Sequence, residues 1–156
     1  MKTTVYIIGT KLRGGYIFGY NDDKVMLKDR YFLGGDSFVG FETSGVGPRD
    51  TSSPNKDALG GNLMYTAEVD LRVPIPGIAP QLGINGRFFG IAGAVTELDE
   101  NGGDKIKDNS NPRVSVGFGI QWKSPFGPVS VDIARPIIKE EYDRTQTIKF
   151  GFGARF

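Results

Sequence analysis

The chain has 156 residues, which suits a single domain, and its formal net charge is +1. This near-neutral charge gives no case for nucleic acid as a partner or for a polybasic membrane-surface patch. Cysteine and histidine are absent, so disulfides, thiolate metal sites, the usual general base and the commonest metal ligand are excluded. No set of Ser, Asp and Lys residues recurs at a catalytic spacing either. We therefore expect that the chain binds no cofactor and is not an enzyme.

The composition predicts an aromatic-rich β protein. There are 23 glycines, many of them inside apparent strands, together with 11 phenylalanines and 6 tyrosines. No apolar run approaches the ~20 residues of a transmembrane helix. If the chain crosses a membrane, it must therefore do so as a β-barrel. In the first residues, from Met1 to Tyr6, polar and apolar side chains already alternate, and this stretch does not resemble a signal peptide. We therefore expect the chain to be part of a longer protein.

The first predicted strand runs from about Thr3 to Tyr20, with apolar residues on one face and Lys11 and Arg13 on the other. A connection of about forty residues, 21–61, follows and is far longer than an ordinary hairpin loop. Its aromatic residues, such as Phe38 and Phe41, need somewhere to pack. The sequence leaves two interpretations open, a folded extracellular cap and a loop tucked into a barrel lumen.

The next predicted strands cover 62–75, 81–95 and 113–123, followed by one that carries Val131 and Ile133 outward. In each strand an apolar face alternates with a polar or small one, as expected for a sheet between lipid and a wet interior. The residues predicted to line the interior wall are Glu68, Asp70, Arg72 and Ile91. A soluble sandwich would show the same alternation in any single strand.

The last predicted strand, 147–156, has the strictest alternation in the chain. One face is apolar and ends on an aromatic residue; it consists of Ile148, Phe150, Phe152, Ala154 and Phe156. The opposite face carries Lys149, Gly151, Gly153 and Arg155. A terminal aromatic residue fits a membrane interface better than a chain end that frays into water.

The lengths of the connections between the strands favour a membrane barrel over a soluble sandwich. Long polar loops alternate with short Pro/Gly turns, which is typical of outer-membrane barrels and has no cause in a sandwich. We predict an all-β fold, an antiparallel transmembrane β-barrel segment of about six strands with one long lumenal or extracellular loop. Closed membrane barrels begin at about eight strands, so six leave two unpaired edges. The 1–156 segment is thus expected to be the C-terminal part of a larger barrel. Alone, it is expected either to self-associate or to form a curled sheet covered by the loop 21–61.

Five stretches together resemble the BamA family of outer-membrane protein insertases. They are residues 34–41 (GGDSFVGF), 45–50 (GVGPRD), 60–62 (GGN), 122–128 (WKSPFGP) and 150–156 (FGFGARF). The resemblance covers nearly the whole chain and implies that a signal peptide, periplasmic repeats and the first barrel strands are absent from it. It also implies an outer-membrane location in a Gram-negative bacterium. The implied partners are outer-membrane lipid, unfolded β-barrel client proteins and accessory lipoproteins.

The resemblance implies three groups of functional residues. The first is a loop-tip motif in the lumen, Val39, Gly40 and Phe41 with Gly47, Pro48, Arg49 and Asp50. The second is the lumenal wall named above. The third is the C-terminal seam strand, Phe150, Gly151, Phe152, Gly153 and Phe156. In such insertases a weak seam opens and a client strand adds to the exposed edge by β-augmentation. Gly151 and Gly153 either weaken packing at the seam or relieve crowding where the barrel curves.

The sequence departs from the family pattern at two positions. The family has an arginine where Val39 stands and an aspartate where Ile91 stands, and those two charges pair. Since both changes replace a charge by an aliphatic group, we expect Val39 and Ile91 to lie together in an apolar contact.

Two other functions compete with the insertase. A two-partner secretion translocator of the same superfamily would export one partner through its pore. A passive outer-membrane pore would have a similar final strand, but the long loop and its motifs would be unexplained.

Overall fold

The computed structural model describes residues 5–99 and 105–153 of the chain. Within these residues the fold is built from eight strands and two short 3-10 helices, Leu27–Asp29 and Pro80–Leu82. The strands are β1 (Ile7–Tyr16), β2 (Arg49–Asp50), β3 (Leu63–Pro74), β4 (Ile84–Thr96), β5 (Ile106–Lys107), β6 (Arg113–Ser124), β7 (Gly127–Ile138) and β8 (Ile148–Phe152). Neither helix, nor any other in the described part, is long and apolar enough to cross a membrane.

Six of these strands form one antiparallel sheet in the order β1-β3-β4-β6-β7-β8. Strands that are adjacent in the main sheet are thus adjacent in the chain, apart from the short β2 and β5, which pair with each other. The prediction of an all-β antiparallel barrel segment of six strands is confirmed. In the described residues β1 and β8 are the two edges and are not paired with each other, so the sheet is open.

Two predicted strand boundaries were wrong. The first strand ends at Tyr16 instead of Tyr20, because its partner β3 begins only at Leu63. One further bond, from the Ile17 amide to the Asn62 carbonyl, closes the ladder. The predicted start at Thr3 lies outside the described residues. The strand predicted from 81 begins at Ile84, since the 3-10 helix and the left-handed Gly83 come first.

The last strand is also shorter than predicted. It ends at Phe152, and Gly153 turns out of it with a φ of +91°. Ala154, Arg155 and Phe156 lie outside the described residues, so the predicted terminal aromatic has no structural account. Of the predicted apolar face, Ile148, Phe150 and Phe152 are all exposed on one side of β8.

The two faces of the sheet differ sharply in chemistry. On the outer face large apolar side chains are exposed along every strand, for example Leu12, Phe88 and Phe150 at 76%, 54% and 63%. Soluble monomers rarely expose an apolar surface this continuous, whereas a lipid-facing barrel wall requires one. The inner face carries the buried polar residues Thr66, Asp70, Arg87 and Asp132.

The sheet curls around its inner face. One cavity of about 460 Å³ is lined both by Lys11 and Arg13 of the first strand and by Ser130 of the seventh. The long loop after β1 folds back onto this concave side and supplies about half of the hydrophobic core. The loop therefore adopts the lumenal position, one of the two arrangements that the sequence left open.

Candidate functional site

The loop sits on the sheet through a single hydrophobic cluster. Its members from the loop are Leu33, Phe38, Val39, Phe41 and Val46, and those from the sheet are Phe89, Ile91, Val95 and Ala134. Phe38 is fully buried and packs edge-on against Phe41, with ring centroids 4.9 Å apart. Burial of large aromatic side chains is the strongest driving force available to hold a loop in place.

Val39 and Ile91, the two departures from the family pattern, both lie in this cluster. Each is only 2% exposed. The Ser115 hydroxyl donates a 2.6 Å hydrogen bond to the carbonyl of Val39, and Ser115 stands directly opposite Ile91 across β4 and β6. An apolar environment thus occupies the place where the family pattern has an ion pair.

Glycine is required at two points of the loop tip. Gly40 has a φ of +106°, and a Cβ there would lie 2.9 Å from the Cβ of Ser115. Gly47 has a φ of +119° and would place its Cβ 3.1 Å from that of Val95. Both the backbone conformation and the close approach to the sheet exclude side chains here.

Arg49 and Asp50 of the loop motif stabilise the loop itself. The buried Arg49 guanidinium donates to the carbonyls of Lys56 (2.5 Å) and Ser44 (2.7 Å), and so ties two parts of the loop together. Burial, and next the repulsion from Arg144, lowers the pKa of Arg49. Hydrogen bonds from the Ser52 hydroxyl and amide hold the pKa of Asp50 below its usual value.

Three of the predicted wall residues, Glu68, Asp70 and Arg72, form part of a charged row on the inner face, whereas the fourth, Ile91, lies in the hydrophobic cluster. Asp70 accepts a 3.0 Å hydrogen bond from Arg72, and Glu68 pairs with Arg87. Arg87 also lies 3.5 Å from the fully buried Asp132 and 4.4 Å above the ring of Phe89. Opposite charges of this kind pair with one another and keep the lumen wall polar beside the hydrophobic cluster. The Nε and Nη1 atoms of Arg87 are buried and have no hydrogen-bond partner in the described residues.

The loop tip forms a short ladder with the segment that leads into β8. The Glu42 amide donates to the Arg144 carbonyl (3.0 Å), and the Gln146 amide donates to the Gly40 carbonyl (3.0 Å). Between these two bonds, Phe41 and Thr145 face each other as an antiparallel bridge. The loop tip is therefore hydrogen-bonded directly to the segment that leads into β8.

A side-chain contact extends this link into the strand itself. Lys149 Nζ of β8 lies 3.5 Å from Asp36 Oδ1 of the loop. Of the residues predicted to form a seam, Gly151 is buried opposite Ser130, whereas a Cβ at Gly153 would meet nothing within 4 Å.

A second buried group joins the start of β6 to residues 109 and 142–143 of two loops. Arg113, at the start of β6, is 1% exposed and bonds both oxygens of Asp143, at 2.8 and 3.3 Å. It also donates to the Tyr142 hydroxyl at 3.1 Å and to the carbonyl of Asn109 at 2.7 Å. Burial raises the pKa of Tyr142, against the opposing effect of Arg113. The group fixes residue 143, next to the ladder described above.

Sequence reasoning did not find Ser115, Lys149, the Arg87–Asp132 pair or the Arg113 group as contacts. Strand parity alone could have suggested Arg87 with Asp132, since both point inward on nearby strands. The Arg113–Asp143 pair joins the start of β6 to a distant loop and leaves no local pattern. In the described residues, no cluster of three or more acidic side chains could hold a metal ion.

An apolar outer face, a charged inner face and a loop bound inside the curve define a segment of an outer-membrane-type β-barrel wall. Comparison with known proteins agrees. Residues 1–156 match the Omp85 superfamily domain, and the chain belongs to the Omp85 superfamily.

Several relatives carry names that describe protein assembly. The chain is 35% identical over 150 residues to outer membrane protein assembly factor BamA of Neorickettsia risticii, covering 96% of this chain and 20% of that protein. It is 26% identical to BamA of Neisseria meningitidis (99% and 22%) and 28% identical to a SAM50-like protein of Schizosaccharomyces pombe (92% and 30%). The chain thus spans between a fifth and a third of these relatives.

A solved structure shows the same architecture. The crystal structure of BamA from Haemophilus ducreyi lacking POTRA domains 1-3 superposes with a TM-score of 0.78 at 27% identity. The match covers 93% of this chain and 30% of the other. The resemblance to the BamA family that the sequence motifs indicated is confirmed.

Proposed function

We propose that this chain is part of an assembly factor in the bacterial outer membrane that folds and inserts other β-barrel proteins. Its partners are then outer-membrane lipid and unfolded barrel clients. The accessory lipoproteins implied by the family resemblance remain a prediction. The observation that carries the proposal is that β8 is an edge strand of the described sheet, next to a loop that holds the entry of that strand.

The hydrogen bonds around β8 show which backbone groups face the free edge. The Gly153 amide donates to Pro128 and the Ala134 amide donates to Thr147. With the antiparallel register, these two bonds make Phe152–Val129 and Ile148–Ile133 non-hydrogen-bonded pairs. Alternation then directs the amides of Ile148, Phe150 and Phe152 away from β7. These amides are the donors that an incoming client strand would use.

The loop gives this edge a fixed position. A client strand can add in one register only if the template strand does not slide or fray. The ladder from Gly40 and Glu42 to residues 144–146 anchors the start of β8, and Lys149, the second residue of the strand, lies 3.5 Å from Asp36 of the loop. The lumenal loop therefore supports the proposed docking strand from the inside.

The test removes one edge donor without disturbing the ladder to β7. Phe150→Pro deletes an amide that faces outward, and proline is tolerated on edge strands. Phe150→Ala removes the same aromatic ring but keeps the amide, so it is the matched control. Both variants of the intact protein are reconstituted into vesicles, and the folding rate of an added barrel client is measured by its heat-dependent gel mobility.

We expect Phe150→Pro to slow client folding about tenfold or more and Phe150→Ala to remain near the wild-type rate. Equal rates for wild type and Phe150→Pro would contradict edge addition at β8. A translocator or passive pore predicts instead that ion conductance rises when the loop is released, with no dependence of client folding on residue 150.

A further inference from the structure

The outer face of the main sheet carries one charged side chain in the described residues, Arg135 of β7. Its neighbours on the same face of that strand are Val131, Ile133 and Ile137. Across the ladder it faces Val116 of β6. Arg135 is exposed, and no carboxylate of the described residues forms an ion pair with it.

The position of Arg135 along the strand places it in the half of the barrel wall near the long loops. It lies six residues beyond Val129, the partner of Trp122 at the short-turn end. Six residues of a strand tilted by about 40° rise roughly 15 Å, more than half of an apolar band about 25 Å tall. A cation at this depth is costly unless it reaches the interface or finds an anion.

Next to Arg135 the outer wall has a groove of about 520 Å³. The groove is mostly apolar, and its lining includes Val116, Phe118, Ile133 and Thr147 together with Arg135 itself. Val116 and Phe118 are exposed, at 42% and 54%, so the groove opens outward. An apolar channel with a guanidinium at its margin matches a molecule that has a hydrocarbon chain and an anionic head.

We propose that this groove binds an anionic, phosphate-bearing lipid, with the phosphate on Arg135 and an acyl chain along Val116, Phe118 and Ile133. A guanidinium carries a permanent positive charge and can bind phosphate oxygens through two parallel hydrogen bonds. The assignment depends on the proposed membrane position of the chain but not on its role in client folding. It places an ordered lipid on β7, one strand away from the edge of β8.

The experiment measures which lipid stays with the protein. The intact protein is reconstituted in nanodiscs of equal parts phosphatidylglycerol and phosphatidylcholine and extracted in mild detergent, and the retained lipids are counted by mass spectrometry. Arg135→Gln removes the charge, and Arg135→Lys keeps it. Lys123→Gln, on the inner face of the neighbouring β6, is the control that removes an equal charge elsewhere.

We expect wild type to retain about fivefold more phosphatidylglycerol than phosphatidylcholine, the effect of one cation near a lipid headgroup. Arg135→Gln loses this preference, Arg135→Lys keeps most of it, and Lys123→Gln does not change it. A preference that survives Arg135→Gln, or an equal loss of both lipids, would overturn the proposal.

Further measurements distinguish a failure of the lipid site from a failure of the proposed function. If Arg135→Gln does not fold, the wild-type preference is measured at rising salt, where a preference insensitive to salt overturns the phosphate contact. Retention of neither lipid by folded wild type overturns the lipid site and also the membrane position on which it depends. A folded protein that keeps the preference but does not fold clients would overturn only the proposed function.

Discussion

Ser115 donates a 2.6 Å hydrogen bond from its hydroxyl to the carbonyl of Val39, directly opposite Ile91 in the sheet. This bond joins the lumenal loop to the barrel wall at the centre of the hydrophobic cluster. The contact is neutral, so it does not depend on ionic strength as an exposed ion pair would.

Restoring one charge at this position should destabilise the protein. Val39→Arg or Ile91→Asp alone would bury an uncompensated charge, at a cost of about 3–5 kcal/mol. The double variant should recover part of the loss, with a coupling of about 0.5–3 kcal/mol. The measurement is a double-mutant cycle on unfolding in denaturant. Additive costs would mean that the two positions act independently.

The loop tip should not tolerate a side chain at Gly40. Gly40→Ala combines a left-handed backbone, about 1–3 kcal/mol of strain, with a Cβ only 2.9 Å from that of Ser115. Gly127→Ala is a matched control, because its φ of +121° is similar but nothing lies within 4 Å of the new Cβ. Unfolding free energies should differ by a further ~1–3 kcal/mol between the two variants. Equal losses would show that the loop tip can move away from Ser115.

Tyr142 should make the loop contacts sensitive to alkaline pH. Its pKa is raised in the folded protein, chiefly by burial, so the folded state keeps its proton longer than the unfolded state does. Stability from the protonated hydroxyl is therefore complete below the ordinary tyrosine pKa of about 10 and is lost as pH rises through the folded pKa. The advantage of wild type over Tyr142→Phe in unfolding free energy should shrink above pH 10. A constant difference across that range would contradict the raised pKa.

The 156-residue chain produced alone should associate with itself. Its described sheet has two unpaired edges, β1 and β8, and an unpaired edge is a template for another strand. We expect dimers or larger species in detergent by light scattering. Phe150→Pro should reduce the association, because it removes a donor from one edge, whereas Phe150→Ala should not. A uniform monomer at all concentrations would show that both edges are protected.

Period-two alternation in the sequence was enough to predict which side chains of each long strand point outward and which point inward. The sequence predicts that Leu71 faces outward and Asp70 inward, and the structure shows the same arrangement. Successive side chains of a strand point to opposite faces, so the apolar set faces lipid and the polar set faces the lumen. Alternation did not predict where strands end. It continues through Phe18 and Tyr20, yet β1 stops at Tyr16 where its partner strand turns away.

The contacts of the loop were harder to predict. The aromatic residues of the loop indicated that it packs, but not on which surface. The pairing of β2 with β5 was missed, since two-residue strands have no period to detect. The Arg113–Asp143 pair was also missed, because a strand residue and a loop residue 30 positions apart give no signal before folding brings them together.

The most direct test of the account is whether the loop tip is paired with the entry of β8. Phe41 and Thr145 form a non-hydrogen-bonded antiparallel bridge, whose Cα atoms lie about 4.5 Å apart, within the disulfide range of about 4.4–6.8 Å. The chain contains no cysteine, so Phe41→Cys with Thr145→Cys reports this contact alone. We predict rapid disulfide formation under mild oxidation in the folded, membrane-inserted protein, and none in a control with Phe41→Cys and Glu141→Cys. Free thiols in the first pair, or equal cross-linking in both, would contradict a loop tip bound to the entry of β8.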